Sequence, residues 1–239
     1  MYVVAIRRLA SSVDEAAAIV ADEIRSVVYT ERVKLRAGEP CIVLASPDRE
    51  RATALAKRLA SPGNDVIIVD DTDVVASSDM VLIREFRFDA EAFVAITELT
   101  ELALPWHDLA ALLPATHRTR TETTKSVTEK KFALGRAIVT GGLARNKTVT
   151  KDVVTRTDDN EPVLYLFRRG RQLPWLLSQS RARFGGLGAR LGPIAAPNFA
   201  ATIDELRRRA PTARFDDRLV GRRDSVADLD LLAHLIATA

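Results

Sequence analysis

From His117 to Lys151 the chain carries nine Lys or Arg, two Glu and eight Thr, and few large apolar side chains lie between His117 and Phe132. A stretch this polar cannot bury enough area to offset ordering its backbone, which costs about 1–2 kcal/mol per residue. It therefore interrupts whatever core the flanking segments build, as a mobile loop or a protruding hairpin. Thr-rich alternation in Lys147-Thr148-Val149-Thr150-Lys151 and in Val153-Val154-Thr155 favours the extended form. The flanks can afford the interruption. The chain has 239 residues, 47% of them hydrophobic, enough for one large domain or two small ones with real cores. Aromatic residues make up only 5%, so those cores must be built mainly from Ala, Val, Leu and Ile.

Charge divides the chain as well. Residues 1–110 hold 12 Lys or Arg against 19 Asp or Glu, residues 117–215 hold 20 against 8, and residues 216–239 hold 3 against 5. The net +3 hides two oppositely charged halves. That asymmetry predicts either that the halves dock or that the second has an acidic partner. The plainer reading is two domains that differ in charge without consequence. The single cysteine, Cys41, cannot form an internal disulfide and fits a reducing compartment. No apolar run approaches the ~20 residues of a membrane span. At the N-terminus the pair Arg7-Arg8 follows a short apolar run instead of preceding a long one, unlike a secretory signal. A cytoplasmic location is expected.

Tyr2 to Arg8 predicts a short strand. Ser12 with Glu15 forms a capping box, and Val13, Ala16, Val20, Ile24 and Val27 follow at helical spacing. Thr30 caps a second, shorter helix carrying Val33 and Leu35, with Gly38 placed to end it. Cys41-Ile42-Val43-Leu44 reads as a buried strand. Ser46-Pro47 supplies an N-cap and a first-turn proline for a helix lined by Ala52, Leu55, Ala56 and Leu59, which ends before Pro62-Gly63. Val66 to Val69 is the next strand. This strand-helix-helix-strand-helix-strand order over residues 1–70 resembles the C-terminal domain of the ribosomal stalk protein and the related ClpS adaptor fold. The stalk domain's partner-facing helix opens with a glycine-rich stretch, and Ser26 to Lys34 stands in its place without glycines. Ribosomal factor binding therefore does not carry over, and the resemblance implies a scaffold that grips other proteins.

Beyond an acidic connector from Asp71 to Asp79, Met80 to Phe88 passes from a buried run into strict alternation and predicts one further strand. Ala92 to Leu104 has apolar residues at mixed spacing that suits either a strand pair or a helix. Asp158-Asp159-Asn160 reads as a turn into the strand Val163 to Phe167. Gly170 then bends the chain before Pro174-Trp175-Leu176-Leu177, giving a hairpin with Arg168, Arg169 and Arg171 at its tip. Pro197-Asn198 opens a helix with Phe199, Ile203, Leu206 and Ala210 on one face, and Pro211 stops it. Antiparallel strands closed by one helix, fed by the segment Leu104-Pro105-Trp106, resemble a pleckstrin-homology-like module over about residues 92–215, interrupted by the basic insertion. That resemblance implies a scaffold for protein, peptide or lipid-headgroup binding. Ser225 with Asp228 caps a last helix whose Val226, Leu229, Leu232, Leu235 and Ile236 form an apolar stripe. The stripe either packs on its own chain or offers a surface for a partner or for self-association.

Little in the chain points to catalysis. His107, His117 and His234 are unlinked in spacing, and a metal site needs several converging ligands. His107-Asp108 with Cys41 is a formal base and nucleophile set, yet neighbours on a strand face opposite ways, and Cys41 within an apolar run reads as a small buried hydrophobe. Gly141-Gly142 and Gly185-Gly186-Leu187-Gly188 lack the spacing of phosphate-binding loops and read as tight turns in a sheet. The cluster Arg207-Arg208-Arg209 reads as the solubilising face of its helix. Arginine's planar fork suits phosphate or carboxylate, and lysines suit long-range attraction to a polyanion. Against nucleic acid, the insertion offers only Phe132 for stacking.

The fold expected is therefore α+β. A small βααβαβ domain occupies 1–90, and a mainly antiparallel β, pleckstrin-homology-like domain occupies 91–215 with a long insertion at 117–160 and a closing helix. An amphipathic C-terminal helix fills 216–239. The function expected is a non-catalytic cytoplasmic adaptor or structural protein that binds an acidic protein through the basic insertion and the last helix. Its contact residues would be Arg118, Arg120, Lys125, Lys130, Lys131, Lys147, Arg168, Arg169 and Arg171, with Leu229, Leu232, Leu235 and Ile236 on the helix. The alternative is a nucleic-acid-binding protein using the same basic residues, with anionic lipid a further acidic partner. No cofactor, metal or catalytic residue is expected.

Overall fold

The computed structural model describes residues 1–97, 100–131, 147–170 and 172–238, with backbone alone at 120–131 and 147–158. The elements run β1 (Tyr2–Arg8), α1 (Val13–Ile24), α2 (Val28–Arg36), β2 (Cys41–Ser46), α3 (Arg49–Ala60), β3 (Asp65–Asp70), β4 (Val81–Ile83), β5 (Glu85–Phe88), β6 (Ala92–Ile96) and β7 (Glu101–Pro105). They continue with β8 (Leu109–Lys131), β9 (Lys147–Arg168), β10 (Trp175–Ser178), α4 (Ala195–Arg209), β11 (Arg214–Phe215) and α5 (Val226–Ala237). The fold is α+β. The first six elements keep the βααβαβ order that the spacing predicts, with strands in the order β2-β1-β3 and antiparallel pairing throughout.

Two local signals place helices as expected. The Ser12 hydroxyl accepts from the Glu15 amide at 3.1 Å, and the Ser225 hydroxyl accepts from the Asp228 amide at 3.2 Å. Two caps fall elsewhere. Val27, not Thr30, is the N-cap of α2, because the Thr30 amide already bonds back to the Val27 carbonyl at 2.9 Å. Asp48, not Ser46, caps α3: its carboxylate accepts from the amides of Glu50 and Arg51, while Ser46 is buried at the end of β2.

The single strand expected between Met80 and Phe88 is two strands in different sheets. It breaks at Arg84, whose carbonyl accepts from the Arg183 amide at 2.7 Å. Ala92 to Leu104 resolves as the strand pair β6–β7 in a three-stranded meander β5-β6-β7. The central sheet has the order β11-β8-β9-β10-β4, with parallel pairing at β10–β4 and β11–β8. The glycines at 185–188 lie in a 3₁₀ turn, Phe184–Arg190, and not in a sheet turn as expected. At Gly186 a Cβ would stand 2.4 Å from the Phe86 carbonyl oxygen, so only glycine lets this turn lie against β5.

Three apolar clusters hold these layers. Val4 and Ile6 of β1 pack with Ala16, Ala17, Val20, Leu55 and Leu59 of α1 and α3. On the opposite face of the same sheet, Ala5 and Val69 join a cluster with Leu229, Leu232, Leu235 and Ile236 of α5 and with Val163, Tyr165 and Leu176 of the central sheet. On the other face of the central sheet, Leu164, Leu166, Trp175 and Leu177 pack against Phe86, Phe93 and Leu104 of the meander and Phe199 and Leu206 of α4. β9 is thus covered on both faces, which explains its continuous apolar run Val163 to Phe167.

The chain divides into two compact units, one formed by Met1–His117 with Glu161–Ala239 and the other by Arg118–Asn160. Within the first unit, α5 packs against both the first sheet and the central one. Among the described residues, no helix is long and apolar enough to cross a membrane.

The apolar stripe of α5 is therefore covered by its own chain. Leu229, Leu232, Leu235 and Ile236 are each at most 1% exposed, so the helix face expected to meet a partner is core instead. Four such side chains contribute about 6–12 kcal/mol of burial, comparable with the whole stability of a domain. Leu232→Asp should accordingly lower unfolding free energy by at least about 4 kcal/mol, read by urea denaturation. A variant that keeps the wild-type midpoint would show that the α5 packing described is wrong.

Candidate functional site

Of the basic residues singled out in the sequence, Arg118, Arg120, Lys125, Lys130 and Lys131 lie on β8 and Lys147 on β9, all within Arg118–Asn160. The side chain of Arg118 is half-buried, and its Nε has no hydrogen-bond partner among the described residues. Those of Arg120, Lys125, Lys130, Lys131 and Lys147 lie outside the described side chains, and Arg171, Gly141 and Gly142 lie outside the described residues.

Arg168 and Arg169 stand at the end of β9 and converge on a cavity. β9 pairs antiparallel with β10 from Leu166↔Trp175 to Val163↔Ser178, and the connection turns through Gly170 at φ 76°, a left-handed conformation that favours glycine. The Arg168 guanidinium carbon lies 5.5 Å from the centre of the Trp175 ring, close enough for a cation–π contact. Its Nε is buried and has no hydrogen-bond partner among the described residues. Arg169 is fixed by its Nε, which donates to the His107 carbonyl at 2.8 Å.

These two arginines line a cavity of about 570 Å³ together with Gln172, Phe167, Ala110, Val75, Asp73 and His234. Burial pulls the His234 imidazole below its ordinary value, and the nearby Asp73 carboxylate partly restores it. The C-terminal end of α5 also borders the cavity. Its dipole disfavours an anion by about 0.3–1 kcal/mol, but the Arg214 guanidinium donates to the Ile236 carbonyl at 2.9 Å and blunts it.

A second constellation was not visible in the spacing of the histidines. Tyr165 of β9 donates its hydroxyl proton to Asp230 Oδ1 of α5 at 2.6 Å, and His117 Nε2 of β8 lies 2.6 Å from the same hydroxyl oxygen. With the tyrosine donating to the carboxylate, His117 Nε2 carries a proton and donates to it. Asp230 Oδ2 accepts from the Ser77 amide at 2.8 Å. Burial, reinforced by the Asp230 charge and hydrogen bond, holds the Tyr165 phenol far above its ordinary value. A phenol so held stays protonated and keeps donating to Asp230, so the polar chain ties β8, β9 and α5 together. The sequence signal was present but unread: an aspartate inside the apolar run Leu229-Asp230-Leu231-Leu232 and a tyrosine inside a fully buried strand both require a partner.

The remaining chemistry candidates are structural. Burial pushes the Cys41 thiol up to about 11, as suits an inert buried side chain. His107 and Asp108 sit in a 3₁₀ turn, Trp106–Asp108, and not on a strand; their side chains approach to 3.5 Å, with His107 largely exposed. Arg207, Arg208 and Arg209 are not merely a solubilising face. Arg207 lies 3.9 Å over the Phe215 ring, Arg209 lies 5.4 Å over Phe88, and Arg208 and Arg209 both pair with the buried Glu205. Hydrogen bonds from Arg208 and then Arg209 hold the Glu205 carboxyl down at about 2. Among the described residues, no group of three or more His, Cys, Asp or Glu is placed to hold a metal ion.

No protein-family model matches the chain, and neither a curated protein nor a solved structure matches it.

The polar chain yields two expectations. Tyr165→Phe leaves the Asp230 carboxylate and His117 Nε2 without their shared partner and should cost about 2–3 kcal/mol, measured by chemical denaturation. An unchanged stability would mean that the three groups do not interact in solution. The second concerns pH. Burial lowers the folded His117 below its ordinary 6.5, with Asp230 and Glu161 opposing that shift and Arg181 adding to it. The unfolded chain then takes up a proton that the folded chain refuses, so this contribution is full above about pH 6.5 and is lost as pH falls toward the folded value. His117→Gln should flatten the decline in denaturation midpoint between about pH 7.5 and about pH 5.5; an undiminished decline would remove His117 from its cause.

Proposed function

We propose that this chain is a non-catalytic cytoplasmic protein that binds an acidic protein partner through the basic residues of Arg118–Asn160. What carries the reading is the coincidence of charge with compactness. The unit Arg118–Asn160 has ten Lys or Arg against five Asp or Glu, while the rest of the chain has 25 against 27. Five of the seven lysines of the whole chain lie within these 43 residues. Strands β8 and β9, of 23 and 22 residues, are more than three times the usual strand length of about 5–6 residues. A fold that extends two strands this far, in a sequence with little to bury, spends backbone order on something other than a core.

Electrostatic attraction of this kind sets encounter rate and register more than depth of binding. The burial of the α5 stripe removes it as a source of binding energy, so the partner must meet the basic unit itself. The low aromatic content, Phe132 alone among residues 118–160, favours an acidic protein surface over single-stranded nucleic acid, which usually stacks on several rings.

The test is affinity capture from host lysate with the tagged chain, with and without nuclease, against the triple variant Lys125→Glu, Lys130→Glu, Lys131→Glu. The expected result is a small set of proteins that persists after nuclease treatment and is lost with the variant, whose denaturation midpoint stays at the wild-type value. Loss of everything captured on nuclease treatment, with binding falling roughly one log unit per phosphate contact as salt rises tenfold, would replace this reading with nucleic-acid binding.

A further inference from the structure

We propose that the cavity beside the β9–β10 turn is a receptor for a small organic oxyanion, a carboxylate or phosphate carried on an apolar body. The residues that line it all fall outside Arg118–Asn160, so the site is separate from the basic unit. The cavity holds about 570 Å³, within the roughly 300–1,000 Å³ of small-ligand sites. Its lining is divided in chemistry. Arg168, Arg169 and Gln172 present donors, whereas Val75, Ala110 and Phe167 present apolar surface.

Both guanidinium groups are held before any ligand arrives. Arg168 lies over the Trp175 ring, and Trp175 is itself a core residue; Arg169 is tied through Nε to the His107 carbonyl. Among the described residues neither has a carboxylate partner, and Arg168 keeps a buried Nε without a hydrogen bond. A guanidinium without a carboxylate partner is matched by a carboxylate or phosphate, whose paired oxygens its planar fork can bond at two points. Among the described residues, Asp73 is the one carboxylate in the lining, and the capping of the Ile236 carbonyl by Arg214 reduces the negative influence of that helix end. The balance selects ligands with a single compact anionic head over polyanions, because Asp73 repels a second negative group placed across the cavity.

The probes are phenyl phosphate and benzoate, titrated into the full chain by isothermal calorimetry and by thermal shift, with inorganic phosphate and benzyl alcohol as partial mimics of head and body. The expected result is saturable one-to-one binding of phenyl phosphate or benzoate, at least about tenfold tighter than either partial mimic. Arg169→Gln, an exposed position that leaves the core untouched, should weaken it at least about tenfold, as should Arg168→Gln. The triple lysine variant of the basic unit should leave it unchanged, which separates this site from the protein-binding reading. Equal binding by the Arg169→Gln variant, equal binding of inorganic phosphate, or no saturable binding of either probe would each overturn the proposal.

Discussion

The packing of α5 against two sheets at once is the interaction on which the rest of this architecture depends. An ordinary surface helix buries one stripe and leaves a polar face to water. Here Leu229, Leu232, Ala233, Leu235 and Ile236 are all buried, and the helix is shared between the face of the first sheet that α1 and α3 leave uncovered and one face of the central sheet. Without it, Ala5 and Val69 on one side and Val163, Tyr165 and Leu176 on the other would face water. The one charged residue on its buried side, Asp230, is compatible with that position because Tyr165 and the Ser77 amide satisfy its oxygens. Hydrophobic burial supplies the energy of the joint, and this polar contact adds direction, since an aspartate can meet the Tyr165 hydroxyl in only one rotation of the helix.

Much of the fold was legible because its signals are local. The capping serines at Ser12 and Ser225, the helical spacing from Val13 to Ile24 and the buried runs at Cys41–Leu44 and Val163–Phe167 each follow from a few neighbouring residues. What could not be read is what covers each face. The leucines of α5 fit equally a helix that packs at home and one that waits for a partner, because a stripe does not name its neighbour. The break at Arg84 and the 3₁₀ turn at Phe184–Arg190 depend on a contact across about a hundred residues of chain. Arg207 and Arg209, which read as solvent-facing, acquire their role only because Phe215, Phe88 and the buried Glu205 are brought beneath them.

The candidate sites divide in the same way. A basic, Thr-rich segment announces itself by composition, and its limits in sequence nearly coincide with those of the unit Arg118–Asn160. The cavity at the end of β9 does not announce itself: Asp73, Arg168 and His234 meet there from three parts of the chain, and no spacing rule links them. The same holds for His117, Tyr165 and Asp230. Pairing across a fold is set by topology, and a sequence shows only that a buried aspartate or tyrosine must find something.

The position of α5 also has a consequence for how the chain acquires its shape during synthesis. Ala5 and Leu229 share one cluster although more than two hundred residues separate them. The cluster of β1 with α1 and α3 draws only on early residues and can close soon after they emerge. The opposite face of that sheet, and the facing side of the central one, stay open until α5 is made. Contacts so distant in sequence slow the final step. From the completion of β10 at Ser178 until α5 emerges, the growing chain therefore carries two uncovered apolar sheet faces, a liability toward aggregation that ends only when α5 docks.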